Sequence, residues 1–110
     1  MFDVRDSEIN GQGVFATSSI VKGAVVDKMF WITDSRRDEI EWPVNLQLSK
    51  MCWKVNHQAE SNCRLVTTGQ EWSMQTKRDI QADEELTIDY RTLPRFMDRD
   101  IAGFNELVVN

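Results

Sequence analysis

The stretch FATSSIVKGAVV, residues 15–26, is echoed later in the chain by QTKRDIQADEEL, residues 75–86. Each copy runs from a strand-like segment through a polar stretch to an isoleucine, then to a turn residue and a second strand-like segment. Glycine readily adopts a positive φ, and aspartate is one of the few other residues that tolerate it. We therefore predict two similar β-corners. The isoleucine stands three positions before the turn residue in both: Ile20 before Gly23, and Ile80 before Asp83.

The segments around the two corners predict a mainly β chain. Short apolar runs broken by Gly, Asn, Asp and Ser are typical of strands and turns, and residues 13–15 and 24–32 are the clearest. CRLVTTGQEWSMQT, residues 63–76, predicts a hairpin, because alternation before and after residues 68–70 is interrupted there by a turn. Its inward face carries Leu65, Trp72 and Met74, or else the residues on the opposite face.

Two further regions are less regular. Residues 33–50 form the most polar part of the chain, and Pro43 marks a break within them. We expect an exposed loop there, followed by a short helix or strand at the apolar residues 44–48. The tail predicts a weak helix from Phe96 to Ile101, and Gly103 is a plausible end for it.

Length and composition indicate one globular domain. A chain of 110 residues closes one modest core, and a hydrophobic share of 41% argues against a disordered protein. No apolar run approaches the roughly 18 residues that a membrane span needs, and the N-terminus has no apolar signal segment. We expect a soluble, intracellular protein that does not contact membranes. No dense basic run marks it for nuclear import, so both nucleus and cytoplasm stay open.

Charge and cysteine content exclude several kinds of site. The net charge of −5 repels phosphate backbones and attracts cations, so nucleic acid is a poor candidate for a direct partner. The alternative is that acidity only keeps the protein soluble. Cys52 and Cys63 are too few for a disulfide framework, and His57, the only histidine, does not complete a tetrahedral zinc site with them. We expect reduced thiols and no metal.

Three motif-bearing segments follow one another along the chain. They are DSEINGQGVFATSSIVKG at residues 6–23, VNHQAESNC at 55–63 and KRDIQADEELTIDYRTLP at 77–94. From about Ser7 to Tyr90 this succession resembles the SET-domain protein lysine methyltransferases, in particular the short free-standing viral kind. The family patterns are a G-x-G loop followed by V-F-A, then N-H-S with P-N-C or P-N-A close behind, then G-E-E-L-T-x-D-Y. Each motif is weak alone, and their order and spacing carry the resemblance.

The resemblance implies a single minimal SET domain over residues 1–110. Its core spans about residues 7–90, with a variable insert at 33–50 and a C-terminal flanking segment at 91–110. The implied fold has several small β-sheets and little helix, with a knot-like crossing between the N-H segment and the segment carrying the C-terminal tyrosine. S-adenosylmethionine (AdoMet) binds on one face, and a lysine enters a narrow channel from the other. The amine takes the methyl group in line, leaving S-adenosylhomocysteine (AdoHcy), without a metal.

The resemblance also implies a cofactor site. Gly11, Gln12 and Gly13 would let the backbone approach the methionine end of AdoMet, although a plain hairpin turn has the same sequence. The asparagine matching Asn56 binds the amino-acid end of the cofactor. The neighbour matching His57 contacts adenine through its backbone and braces the crossing with its side chain. Without the resemblance, a lone histidine is read as a satisfied and partly buried side chain.

Tyr90, the only tyrosine of the chain, matches the catalytic tyrosine that orients the lysine amine and contacts the methyl group. The alternative is a strand-end aromatic residue with its hydroxyl at the surface. Active members of the family commonly have a second tyrosine in the lysine channel, which this chain lacks. We expect other aromatic residues to line the channel, from among Phe30, Trp31 and Trp53. Adenine would be covered by a residue of the tail, Phe96 or Phe104.

Four positions depart from the family pattern, mostly at turns: Gln58 replaces serine, Ser61 proline, Asp83 glycine and Gln75 an apolar or aromatic residue. Nearby, Asn62 is expected to tie the crossing through its amide, and Cys63 to be a small buried residue at the start of a strand.

The implied substrate is a lysine in a basic protein or tail of the histone kind. Acidic residues at 38–41 and 83–85 are able to steer such a substrate, or are simply solvated surface. The small core also favours a homodimer, and the viral resemblance suggests a virus-encoded protein that acts in a host cell. A different class remains open, a catalytically weak SET fold that binds AdoMet or a peptide as an interaction module. So does an unrelated small β-protein in which the motifs are accidental.

Overall fold

The computed structural model of the chain describes residues 1–97. Two predicted features, the tail beyond residue 97 with Gly103 and the adenine cover Phe104, lie outside the described residues. The strands are β1 (Phe2–Asp6), β2 (Gln12–Ala16), β3 (Val25–Ile32), β4 (Leu46–Leu48), β5 (Asn56–His57), β6 (Cys63–Thr68), β7 (Glu71–Thr76) and β8 (Glu85–Ile88). Short 3₁₀ helices cover Met51–Trp53, Tyr90–Thr92 and Arg95–Met97.

The strands form two four-stranded sheets. Sheet 1 has the order β1-β2-β8-β5, and sheet 2 has the order β4-β3-β7-β6. All pairs are antiparallel except β5 and β8, which run parallel with Asn56 opposite Thr87 and His57 opposite Ile88. The mainly β prediction is confirmed. No helix within residues 1–97 is both long and apolar enough to span a bilayer.

The two predicted corners join the sheets and share one geometry. Ile20 and Ile80 form an antiparallel bridge with N–H···O distances of 2.9 and 2.8 Å. Gly23 has φ +86° and Asp83 has φ +72°, so both turn residues occupy the left-handed region as predicted. Both isoleucines are buried, at 5% and 1% exposure, so each corner closes over the core.

The predicted hairpin is β6 and β7, closed by a two-residue loop whose Gly69 has φ +61°. Leu65 pairs with Met74 and Thr67 with Trp72, so these four side chains share one face. Met74 is fully buried and Trp72 half-buried. The face that carries Leu65, Trp72 and Met74 is therefore the inward one, the first of the two alternatives.

Residues 33–45 form a loop that precedes the edge strand β4, in agreement with the expected loop and short strand. The buried Asn45 organises this loop. Its Nδ2 donates to the Asp34 and Glu39 carbonyls at 3.0 Å, and its Oδ1 accepts from the Glu41 amide at 2.7 Å. The loop is thereby held against β3, and Trp42 packs edge-on against Trp53 with ring centroids 5.1 Å apart.

Sheet 1 has two unlike faces, because side chains alternate along each strand. One face carries Val14, Ala16, Leu86 and Ile88, all fully buried in the core. The cross-strand register places Gly13, Phe15, Glu85, Asn56 and Thr87 on the other face. The residues that the sequence singled out at G-x-G and N-H thus reach the same side of sheet 1.

Candidate active site

The side-chain amide of Asn56 lies at the centre of a polar cluster on sheet 1. Its Nδ2 is 2.8 Å from Glu85 Oε2 and 3.0 Å from Ser7 Oγ. It is also 3.1 Å from the carbonyl oxygens of Asn10 and Gln12. Three distant segments are brought together here: the loop between β1 and β2, β5, and the start of β8.

Glu85 completes this cluster beside the second glycine of G-x-G. The Ser7 hydroxyl donates to Glu85 Oε1 at 2.7 Å, which leaves the Ser7 oxygen free to accept from Asn56 and from the Ile9 amide. A Cβ on Gly13 would stand 2.1 Å from Glu85 Oε2. The Glu85 carboxylate occupies the space that a side chain at residue 13 would need, so only glycine fits there.

The cluster fits a cationic ligand. An amide NH₂ has two hydrogens, but four acceptors surround that of Asn56, so acceptors outnumber donors. Within residues 1–97 no group donates to Asn56 Oδ1, and no fully buried side-chain polar atom lacks a partner. This oxygen therefore reaches solvent although Asn56 is only 3% exposed. A primary ammonium group carries the N–H donors that such a site lacks.

Tyr90 and His57 form the second part of the site, on the other side of β5. The Tyr90 amide donates to His57 Nδ1 at 2.9 Å, so Nδ1 is the unprotonated ring nitrogen in this geometry. The two rings lie 5.1 Å apart. The Tyr90 hydroxyl donates to the carbonyl of Val55, the residue before Asn56. The tyrosine is thus pinned at both ends to the segment that carries the N-H motif.

Burial decides the protonation state of Tyr90. The side chain is 1% exposed, and desolvation raises the pKa of its hydroxyl far above the ordinary value. The hydroxyl remains protonated at neutral pH and acts as a donor to Val55, with its lone pairs on the oxygen. The alternative of a surface hydroxyl at a strand end is therefore wrong.

Asp89 fixes the turn from which Tyr90 projects. Its Oδ1 accepts from the Arg91 amide at 3.0 Å, which caps the 3₁₀ helix Tyr90–Thr92. The Arg91 guanidinium lies 2.7 Å from Asp89 Oδ2 and lowers the pKa of this carboxyl to about 2. Asp89 is ionised across the working range of pH, so the cap persists.

The expected tie through Asn62 is present. Its Nδ2 donates to the Glu85 carbonyl at 2.7 Å, and its Oδ1 accepts from the Thr87 amide at 2.9 Å. The departures nearby are also accommodated: Gln58 Oε1 accepts from the Thr87 hydroxyl at 3.2 Å, and the Ser61 hydroxyl donates to the Cys63 carbonyl at 2.8 Å. Cys63 is buried and begins β6, as predicted.

The other two departures also make hydrogen bonds. Gln75 Nε2 donates to the Gly23 carbonyl at 2.9 Å, and Gln75 Oε1 accepts from Arg64 Nε at 3.0 Å. Asp83 accepts from Arg5 at 2.7 Å. At residue 75, hydrogen bonds therefore take the place of apolar packing. At residue 83, an ion pair accompanies the positive φ that glycine would adopt without strain.

The aromatic residues expected in the lysine channel have different surroundings. Phe30 is fully buried and stacks on Trp72 with centroids 5.1 Å apart. Trp31 follows it in β3 and so lies on the opposite face, under the ammonium of Lys28. Trp53 packs on Trp42 with ring centroids 5.1 Å apart. Phe30 and Trp31 therefore lie on opposite faces of β3.

Phe96, expected over adenine, is half-buried and packs against Phe30 and Trp72. Its ring is edge-on to Phe30 at 6.1 Å and to Trp72 at 5.5 Å. The prediction placed Phe30 and Phe96 in different subsites, whereas the structure places them in one cluster.

Neighbouring acids of the second corner have different partners. Asp83 pairs with Arg5 at 2.7 Å and Glu84 with Arg78 at 2.9 Å. Among the ion pairs of residues 1–97, none includes Glu85. An open groove of about 450 Å³ lies beside Glu85. The other side chains that line it are Asp6, Glu8, Ile9, Phe15, Gln58 and Asp83.

Sequence reasoning missed three residues of the site. Glu85 was grouped with its acidic neighbours as possible steering charge, although its alternation with Thr87 in β8 places both on the Asn56 face. Ser7 carried no motif. Lys54 Nζ lies 2.9 Å from Gln12 Oε1 and ties the G-x-G loop to the segment that leads into β5. No local pattern signals this last contact, which spans distant parts of the chain.

Comparisons with known proteins agree with this architecture. A family model described as the SET domain matches residues 11–91, which include the G-x-G loop, β5, β8 and Tyr90. The fold is similar to the crystal structure of a candidate histone methyltransferase from Plasmodium falciparum, with a TM-score of 0.65. Sequence identity is 17%, over 86% of this chain and 100% of that one. No curated protein matches the sequence.

The family match covers most of the chain, and the structure has the small sheets that the resemblance implied. The chain belongs to the SET-domain family.

Proposed function

We propose that the chain is an AdoMet-dependent protein lysine N-methyltransferase. The observation that carries the proposal is the placement of two features on adjacent residues of one segment. Asn56 centres an acceptor-rich cluster suited to the amino-acid end of AdoMet, and the carbonyl of Val55 holds the hydroxyl of a buried tyrosine. A cofactor site and a positioned hydroxyl are the parts that methyl transfer to an amine requires.

The cofactor would be held by residues on the Asn56 side of sheet 1. Asn56 Oδ1 accepts from the α-ammonium group, and the loop at Gly11, Gln12 and Gly13 lets the backbone come close to the methionine portion. The His57 backbone contacts adenine. AdoMet, when bound, supplies an electrophilic methyl group on a sulfonium, so the protein needs neither a metal nor a covalent nucleophile.

Tyr90 would position the lysine. Its hydroxyl donates to the Val55 carbonyl, which fixes the direction of the oxygen, and this oxygen would accept an N–H of a neutral lysine amine. Because this hydroxyl is buried and protonated, it orients the amine without competing for the methyl group. Tyr90 thus acts through alignment, the main contribution that an enzyme makes to an in-line transfer.

The substrate class follows from charge. A chain with net charge −5 and an acidic groove beside the site favours a basic, lysine-bearing protein or tail of the histone kind. The channel lining by Phe30, Trp31 or Trp53 and the adenine cover by Phe96 or Phe104 remain predictions. Because Phe30 and Trp31 lie on opposite faces of β3, a channel along one face of this strand would be lined by one of the two.

Transfer of a labelled methyl group tests the proposal. Purified protein is incubated with AdoMet labelled in the methyl group and a set of histone-tail peptides, each with a matched peptide in which arginine replaces every lysine. Label in the lysine peptides alone is the expected result. Absence of label from all peptides and from intact histones, under conditions in which AdoMet binds, would reject the catalytic proposal.

One observation favours a second candidate, a catalytically weak SET fold that serves as an AdoMet- or peptide-binding module. Tyr90 is the only tyrosine in the chain, and it is 1% exposed. A single, enclosed hydroxyl has no second tyrosine to share the alignment of the amine. This candidate predicts saturable binding of AdoMet and of peptide without methyl transfer. Measuring binding alongside the labelled-methyl assay identifies this combination.

We also propose that the protein acts inside a cell and forms a homodimer, because a core of this size gains stability by burying more surface. The resemblance to the short viral SET proteins also remains a prediction. Light scattering at micromolar concentration should give twice the chain mass, and a monomer would contradict the dimer.

A further inference from the structure

We propose that Glu85 is a specificity-determining residue that binds the α-ammonium group of AdoMet and AdoHcy, an inference that rests on the function proposed above. The second corner ends in three consecutive acids. Asp83 and Glu84 each face an arginine, at 2.7 and 2.9 Å, whereas no ion pair within residues 1–97 includes Glu85. Glu85 is the acid of the three that is left for a ligand cation.

The packing around Gly13 shows that the fold makes room for this carboxylate. A Cβ at residue 13 would lie 2.1 Å from Glu85 Oε2 and 2.7 Å from Glu85 Cδ, far inside van der Waals contact. Gly11 differs, because a Cβ there meets nothing within 4 Å and its φ of +47° is what favours glycine. The two glycines of G-x-G therefore serve two purposes, a turn at Gly11 and space for Glu85 at Gly13.

Both oxygens of Glu85 are oriented by neighbours. The Ser7 hydroxyl donates to Oε1 at 2.7 Å, and Asn56 Nδ2 donates to Oε2 at 2.8 Å. Neither contact neutralises the charge, and each oxygen keeps lone-pair capacity for another donor. The carboxylate is therefore held in place for a ligand.

The ligand class follows from the atoms that face it. Glu85 is half-buried and lines the open groove, and Asn56 Oδ1 is an acceptor with no donor among residues 1–97. The carboxylate at the groove matches a primary ammonium, which has one positive charge and three N–H donors, and Asn56 Oδ1 is a second acceptor on a residue hydrogen-bonded to Glu85. The sulfonium has no N–H, so this site recognises the amino-acid end that AdoMet and AdoHcy share.

Glu85→Gln isolates the charge. Glutamine is able to accept from Asn56 Nδ2 with its carbonyl and to donate to Ser7 Oγ with its amide, so the cluster persists without the anion. Glu84→Gln is the matched control, since it removes the same charge one residue away, at the exposed pair with Arg78. Calorimetry measures the affinity of wild type and both variants for AdoMet, AdoHcy and an AdoHcy analogue in which hydrogen replaces the α-amino group. Weak ligands are measured by competition.

Glu85→Gln should weaken AdoMet and AdoHcy by the same factor, about ten- to a hundredfold, as expected for a hydrogen-bonded charge pair. The analogue without the amine should bind wild type and Glu85→Gln equally, or bind the variant better. Glu84→Gln should change none of the three affinities by more than about threefold, as for an exposed pair. Equal losses for the analogue and AdoHcy would overturn the inference, because they would show a merely structural role.

Unchanged AdoHcy affinity in Glu85→Gln, with wild type binding normally, would remove this inference alone. Failure of wild type to bind AdoMet or AdoHcy would remove the proposed function and this inference with it. If Glu85→Gln does not fold, as judged by its thermal transition, Glu85→Asp replaces it. The shorter side chain keeps the charge but withdraws it from the ligand, so AdoHcy should lose several-fold affinity while the analogue loses none.

Discussion

The two β-corners, residues 15–26 and 75–86, have nearly the same backbone and lead to different outcomes. Thr76 at the second corner matches Ala16 at the first. The Gly23 amide donates to the Thr76 carbonyl at 3.0 Å, and the Asp83 amide donates to the Ala16 carbonyl at 2.8 Å. The corners thus exchange equivalent hydrogen bonds around the Ile20–Ile80 bridge. The first continues into β3 and the buried Phe30, the second into β8, Glu85 and Tyr90.

The difference separates the residues that set the fold from those to which the proposed function is assigned. Isoleucine beneath the turn and a positive φ at the turn residue are common to both corners, so these features specify the architecture. The residues that follow the turn differ, since the first corner continues with core residues and the second with the polar cluster and the pinned tyrosine. Substitutions after the second turn should therefore affect activity. Substitutions of the isoleucine or the turn residue, which both corners have, should affect stability.

The largest effect is expected at the aromatic residues that follow each corner. Tyr90→Phe removes the hydroxyl that is proposed to orient the amine and should lower methyl transfer about a hundredfold or more, while AdoMet affinity stays unchanged. Its loss of stability should be about 1 kcal/mol, for one hydrogen bond. Phe30→Leu, sixty positions earlier, should cost about 1 kcal/mol of stability; an unchanged rate per folded molecule would assign Phe30 to the core alone, and a changed rate would support its predicted place in the lysine channel. Equal activity of wild type and Tyr90→Phe would refute the role of Tyr90.

The buried isoleucines should show the largest effect on stability. Ile20→Ala and Ile80→Ala each leave a cavity beneath a corner, and each should lower the free energy of unfolding by about 2–5 kcal/mol. Because the two residues are bridged, the double variant should deviate from additivity by about 0.5 kcal/mol or more. Urea unfolding of the four proteins measures this coupling. Strict additivity would mean that the corners are independent.

Alkaline pH should lower the stability contributed by the strand residue that pairs with the second corner, but not that of its counterpart at the first corner. Cys63 pairs with Thr76 at the second corner, where Phe2 pairs with Ala16 at the first. Burial raises the pKa of the Cys63 thiol from 9.0 to about 12. The unfolded chain loses this proton near pH 9 and the folded chain keeps it, so the free energy of unfolding falls as pH rises between these values.

The loss due to Cys63 should be about 1 kcal/mol at pH 10. Burial raises the pKa of Cys52 to about 12 as well, so Cys63→Ala should keep part of the pH dependence. Phe2→Leu is the control, which should lower stability equally at pH 8 and pH 10. A Cys63→Ala slope identical to that of wild type would show that this thiol does not titrate on unfolding.

Exchange of the turn residues should give the smallest effects. Gly23→Asp meets no atom within 4 Å, but places a side chain at φ +86° and should cost about 1 kcal/mol. Asp83→Gly should change stability by less than about 0.5 kcal/mol, because relief of strain is offset by the lost Arg5 pair and by glycine's unfolded-state entropy. Thermal unfolding measures both. A large loss in Asp83→Gly would mean that the ion pair, not the turn, holds the second corner.

Local patterns were sufficient for much of the fold. Turn chemistry predicted Gly23 and Asp83, period-two alternation predicted the β6–β7 hairpin, and the amide of Asn62 was expected at the crossing where it is found. Each of these depends on a few neighbouring residues or on one motif. Their agreement across the chain is what made the mainly β prediction reliable.

The remaining features depend on contacts between distant segments. Nothing near Asp83 in the sequence predicts that Arg5 neutralises it, and so nothing local distinguishes Glu85 from its two acidic neighbours. Alternation along β8 was the available signal, since it places Glu85 and Thr87 on one face. The same rule separates Phe30 from Trp31. Channel residues were predicted by residue type, whereas strand parity decides which of them face the same side.

Calorimetric titration of wild type and Asn56→Ala with AdoMet and AdoHcy tests the cofactor site most directly. The structure predicts one saturable site per chain in wild type. It also predicts loss of binding in Asn56→Ala, which should still unfold cooperatively because only one buried amide is removed. Absence of binding to wild type, or unchanged affinity in a folded Asn56→Ala protein, would contradict the assignment of the site.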